Sequence, residues 1–227
     1  MRQLRNYLPL FLVPFCVSLA TAQSSVDFMV GGGTAHDSAA STGLDSVGLN
    51  ACSPVGAATS TGGTCAGTPA LSGFFLGFAG DVMLFKHIGF GAEVSLQPLR
   101  TNFANTTYGE LQSRQTFYDV DAVYAPINTK RASLYLEGGI GGAHTGLSVN
   151  QSTCIGSACT NQVAPVGTSN HFQIHGAIGV SIFVTEHVFI RPQFDVHYVP
   201  NFTSQPGFNS DVVPAGMVWV GYNFGER

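Results

Sequence analysis

Eight stretches of this chain alternate apolar and polar residues with a period of two, the spacing of a β-strand with two unlike faces. They cover 26–30, 74–85, 88–96, 116–124, 134–142, 172–184, 188–198 and 216–224. The last is the plainest: in Met217-Val218-Trp219-Val220-Gly221-Tyr222-Asn223-Phe224 one face is wholly apolar. The connections alternate in length. Short ones fall at 85–87, 126–131 and 185–187, and long polar ones at about 35–70, 99–113, 147–170 and 199–212. Strands joined by tight turns are antiparallel neighbours. Tight turns at one end, long loops at the other and an even strand count predict an all-β fold, a closed eight-stranded antiparallel up-and-down transmembrane β-barrel.

The two faces differ in kind. One carries Val26, Phe28, Val30, Phe78, Phe90, Val120, Ile140, Ile178, Phe194, Val220, Tyr222 and Phe224, and no charge in any strand. The other carries Asp27, Asp81, Glu93, Asp119, Asp121, Glu137, His175, Ser181, Arg191, Asp195, His197 and several glycines. A soluble sandwich also alternates, but its solvent face is rich in lysine and glutamate. Here the lysines are Lys86 and Lys130 alone, both in turns. Small residues and isolated carboxylates suit a crowded barrel interior. The apolar row then faces lipid, and the last strand must pair with the first, because unpaired backbone does not survive in hydrocarbon.

Composition narrows the classes. Charged residues are 10% of 227, against about a quarter in soluble domains, while Gly reaches 28 and Phe 17. Only one continuous apolar run is present, so a bundle of membrane helices is excluded. A net charge of −4 argues against nucleic acid as a partner. The apolar run is N-terminal: Arg2 and Arg5 precede Leu8–Leu19, and Ala20-Thr21-Ala22 has the small-x-small form of a cleavage site. Residues 1–22 are therefore expected to be a cleavable signal peptide and 23–227 the barrel. Four cysteines follow it, and nearest-neighbour pairing gives Cys52–Cys65 and Cys154–Cys159 as disulfides, in keeping with export.

The stretches GFFLGFAGDVML, HIGFGAEVSLQP, LYLEGGIGGAH, HGAIGVSIFV, VFIRPQFDVHYVP and VWVGYNF, in this order, span nearly all of 24–224. They resemble the small outer-membrane barrels of the OmpA-transmembrane, OmpX and opacity-antigen type. The resemblance implies the bacterial outer membrane, with lipid and lipopolysaccharide around the barrel. Val220, Tyr222 and Phe224 resemble the terminal-strand signal that barrel-assembly machinery reads, although Gly225-Glu226-Arg227 follow the last aromatic.

An eight-stranded barrel is just wide enough to be filled by side chains. Glu93, Asp119, Asp121, Glu137 and Asp195 against one inward base, Arg191, predict a plugged interior with Arg191 as hub, or alternatively a narrow cation or small-solute pore with these groups as its gate. A soluble periplasmic ligand-binding barrel is the third reading. No enzyme is expected: His175 and Ser181, the sketch of a catalytic pair, are six residues apart along one strand, roughly 20 Å. No cofactor or metal is expected. The long loops are the expected place for contact with a surface ligand. Pro192, inside a strand, should disturb a ladder.

Overall fold

The computed structural model describes residues 25–40, 43–45, 50–106, 109–155, 158–203 and 208–225. The expected signal peptide lies outside them. Among the described residues twelve strands follow one another: β1 (Ser25–Ala35), β2 (Gly43–Asp45), β3 (Ala51–Cys52), β4 (Cys65–Ala66), β5 (Phe74–Met83), β6 (Ile88–Leu96), β7 (Thr101–Thr106), β8 (Gly109–Asn128), β9 (Ala132–Ile155), β10 (Ala158–Phe183), β11 (Val188–Tyr198) and β12 (Val212–Phe224). β1, β5, β6, β8, β9, β10, β11 and β12 form a closed antiparallel ring. β6 pairs with β8 from Ile88↔Tyr124 to Leu96↔Thr116, and β12 returns to β1 from Phe224↔Val26 to Ala215↔Ala35. No helix among the described residues is long and apolar enough to cross a membrane.

The pleat sorts the residues as their alternation predicts. Phe28, Val120 and Ile140 stand 59–62% exposed on the outside, while Asp27, Arg191 and Asp195 at the opposite parity are fully buried. The outer face is therefore one continuous apolar band, larger than the few hundred Å² usual on a soluble monomer. Tyr222 and Phe224 lie on it, with Phe224 edge-on to Phe28 at 5.8 Å. Inward glycines make room for large neighbours. A Cβ on Gly77 would strike the Trp219 indole, as would one on Gly31. The indole thus lies across the bare inner face of β1 and β5.

Two of the four polar stretches are ladder. β9 and β10 pair without a break from Ile182↔Ala132 to Ala158↔Ile155, save for a register shift at Pro165/Gly167. At about 3.3 Å per residue these 24 and 26 residues reach roughly 80 Å, whereas a tilted strand needs about ten residues to cross a bilayer. The 99–113 stretch likewise pairs β7 with the start of β8. Outside the barrel both faces meet solvent, as the exposed run 160–166 shows, so the hairpin holds by backbone bonds with no apolar alternation to reveal it. The first long loop holds the small sheet β3-β2-β4 and the Cys52–Cys65 disulfide. Cys154 and Cys159 are paired opposite each other in the β9–β10 ladder; their side chains lie outside the described residues. Pro192 lies in unbroken register with Val218 of β12, while the β10–β11 ladder lapses between Gly179↔Gln193 and Ile182↔Ile190 and resumes in the same register. The disturbance is an interruption without a bulge.

Candidate functional site in the barrel interior

Arg191 points inward from β11 and is fully buried. Its Nε donates to Ser181 Oγ at 2.8 Å, and Nη1 donates to Asp81 Oδ2 at 2.8 Å and to Glu137 Oε1 at 3.0 Å. Nη2 stands 3.5 Å from Asp27 Oδ2. The guanidinium lies 3.9 Å from the centroid of the Tyr135 ring, a stacked cation–π contact. Asn223 Nδ2 donates to the other oxygen of Asp27. Local sequence permits this crowding: a Cβ on Gly91 would stand 2.7 Å from Asp81 Oδ1, and one on Gly179 only 3.0 Å from Arg191 Cδ. A planar fork with five donors is well matched to several carboxylates at once.

One level toward the long-loop end a second cluster gathers on His175. Its Nδ1 donates to Asp121 Oδ1 at 2.9 Å and lies 3.5 Å from Asp119 Oδ1, while Nε2 lies 3.5 Å from Asp195 Oδ1. Asp119 and Asp121 come from β8 and His175 from β10, with β9 between them. Gly141 is paired to Asp119, and Gly139 to both Asp121 and His175. A Cβ on Gly139 would collide with Asp121 Oδ1, so bare backbone on β9 is what lets the carboxylates reach across. Gln193 Nε2 donates to Glu93 Oε2 at 3.1 Å and to Asp195 Oδ1 at 2.7 Å, and Gln173 Nε2 donates to Asp119 Oδ2 at 3.0 Å. The His197 ring stacks on His175 at 5.0 Å and on Phe117 at 4.3 Å.

Apolar layers bracket both clusters. Met83, Val123, Ala125 and Tyr135 pack together beside the tight turns. Phe75, Phe117, Met217 and Trp219 belong to a larger cluster that continues to the long-loop end through Leu71, Phe202 and Phe208. Phe202 and Phe208 stack at 4.3 Å, and backbone bridges Asp37↔Leu71 and Ala39↔Phe208 hold the loop bases over the barrel mouth.

All six expected interior residues are buried or nearly so, but they divide. Glu137 sides with Arg191; Glu93, Asp119, Asp121 and Asp195 gather around His175 and Gln193. One hub was expected and two are present. Ser181 is spent on Arg191 Nε, and His144 Nδ1 pairs with Asn170 Oδ1 at 2.7 Å. The aromatic partners Tyr135, Phe117, Phe189 and Trp219 escaped sequence reasoning that looked only for charge, although their parity with Glu137, Asp119, Arg191 and Gly221 was legible.

No protein-family model matches the sequence, and no curated protein does. Solved structures do match. Ail, the attachment invasion locus protein of Yersinia pestis, superposes with a TM-score of 0.51 at 11% identity, over 89% of this chain and 99% of that one. The outer membrane protein OprG of Pseudomonas aeruginosa gives 0.46 at 16% identity, over 90% and 99%, and the N-terminal β-barrel domain of OprF from the same organism 0.44 at 13%, over 89% and 98%. At such identities the likeness to Ail, itself an outer membrane protein, speaks for the fold alone: this chain has the architecture of the small eight-stranded outer-membrane barrels.

Proposed function

We propose that this chain is an integral bacterial outer-membrane β-barrel with a plugged interior, serving envelope structure and contact at the cell surface. The observation that carries the plug is the filling of the bore: Trp219, Arg191, Tyr135, Phe117 and Phe189, all large, are each at most 1% exposed. The uncharged outer band supports residence in lipid, with lipopolysaccharide as the outer leaflet partner. Export by a signal peptide at 1–22 and recognition of Val220, Tyr222 and Phe224 by assembly machinery belong to the same reading. The long-loop end is the contact surface, since it combines the disulfide-bonded first loop with a β9–β10 hairpin that stands clear of the bilayer.

The test is conductance of the refolded protein in a planar bilayer under a KCl gradient, beside Glu137→Gln and Trp219→Ala. A silent wild-type barrel, shown to be folded by heat-dependent gel mobility, is the expected result. Sustained cation-selective openings in the wild type, altered by Glu137→Gln, would overturn the plug in favour of a narrow pore. Openings in Trp219→Ala alone would identify the indole as the stopper.

A further inference from the structure

We propose that Asp119, His175 and His197 form a binding site for a divalent transition-metal ion of the zinc type inside the barrel, with Asp121 as the group that orients His175. One donor atom from each of Asp119, His175 and His197 lies within 4.8 Å of the others. Three such atoms sit at most roughly 2.8 Å from a common centre, so each moves inward by about 0.7 Å to reach zinc bond lengths of ~2.0–2.2 Å. The three residues are 1–4% exposed. Asp119 Oδ1, His175 Nε2 and His197 Nδ1 are buried and have no hydrogen-bond partner among the described residues. Buried polar atoms are satisfied in the great majority of cases, and three in one cluster point to a ligand that accepts lone pairs.

The surrounding bonds present those lone pairs. His175 gives its Nδ1 proton to Asp121, which in a neutral imidazole leaves Nε2 as the bare donor, the carboxylate–histidine arrangement common behind metal ligands. Gln173 occupies Asp119 Oδ2 and leaves Oδ1 without a hydrogen-bond partner. Charge agrees. Arg191 serves Asp81, Glu137 and Asp27, while no lysine or arginine among the described residues stands within 4.0 Å of Glu93, Asp119, Asp121 or Asp195. A buried group of four carboxylates and two imidazoles thus has no lysine or arginine partner among the described residues, and a divalent ion would add positive charge to it. Two imidazoles with a carboxylate favour zinc, copper or nickel over calcium or magnesium. Phe117 closes the site on one side and the Arg191 cluster on the other, so the ion enters during folding and exchanges slowly thereafter.

The protein, carrying no histidine tag, is refolded in chelator-treated detergent buffer with ZnCl₂ or CoCl₂ and desalted, and metal per folded barrel is read by elemental analysis. One equivalent is expected, with visible d–d absorption in the cobalt form. Asp119→Asn and His197→Gln each retain less than about a tenth of an equivalent, Asp121→Asn binds about 10–100-fold more weakly, and His144→Gln, on the outer hairpin, retains the full equivalent. Less than a tenth of an equivalent on folded wild-type barrel overturns the site. So does full retention by Asp119→Asn, which would assign the metal to surface groups. If His197→Gln does not fold, the near-isosteric Asp119→Asn decides alone.

Discussion

The Arg191 and His175 clusters occupy adjacent levels of one bore and are built by the same means: inward parity, glycine relief and neighbours from strands far apart in sequence. They differ in how the negative charge is met. At Arg191 a delocalised cation donates two short bonds to carboxylates and stacks on Tyr135. At His175 two imidazoles and two amides face four carboxylates; buried atoms without a hydrogen-bond partner stand in both clusters, Arg191 Nη2 in the first and Asp119 Oδ1, His175 Nε2 and His197 Nδ1 in the second. Burial makes both arrangements expensive unless charges are compensated. The first holds a permanent cation among its carboxylates. The second has no lysine or arginine partner among the described residues, and the proposed ion would take that place.

The largest effect should come from removing the sole cation of the first cluster. Arg191→Met leaves Asp27, Asp81 and Glu137 buried without their partner and is expected to lower unfolding stability by about 3–5 kcal/mol, read by denaturant unfolding in lipid vesicles. Stability equal to wild type would dissolve the distinction between the clusters. Next, matched amide substitutions should differ between the two levels. Asp81→Asn loses a charge-assisted bond to Arg191 and should cost about 1.5–3 kcal/mol. Asp195→Asn in metal-free buffer removes one of several uncompensated negatives, keeps an acceptor for Gln193, and should be neutral or stabilising. Equal losses from both would mean that the second cluster is already paired.

Gly139→Ala sharpens the comparison from the backbone side. The new methyl meets the Val120 carbonyl oxygen first and then Asp121 Oδ1 and Cα, so β8 and with it the bridge to His175 must shift, at about 1–3 kcal/mol of overpacking. Gly179→Ala, whose Cβ stands 3.0 Å from the flexible Arg191 Cδ, should cost less. The smallest effect lies outside the spanning strands. Burial holds the Asp37 carboxyl above its ordinary 3.8, although backbone bonds from Ser210, Ser38 and Asn209 oppose this. The folded state therefore keeps this proton more tightly than the unfolded chain, and its contribution to stability is present below 3.8 and lost as pH rises through the raised value. Asp37→Asn should flatten that part of the pH profile, and an unchanged slope would remove Asp37 as its source.

Much of this was legible in advance. The eight alternating stretches became the eight barrel strands, every outward residue named from the alternation lies on the outside, and the inward acids are all interior. The lengths of β8, β9 and β10 were not legible, because a ladder in solvent requires backbone partners and no apolar period. Nor was the division of the acids between two hubs. Asp121 is 54 residues from His175, and Asp81 is 110 from Arg191. Phe202 and Phe208, capping the mouth, sat in a stretch read as polar.

The sequence by itself determined which side of the wall each strand residue occupies, because the pleat turns successive side chains to opposite faces whatever the strand's neighbours are. Which inward residues meet was decided only by tertiary structure. Closure of the ring sets the stagger between strands, and the stagger selects that Gly139 stands between Asp121 and His175 and that Gly31 and Gly77 lie beneath Trp219. Parity is a property of one strand; contact across a bore belongs to all eight.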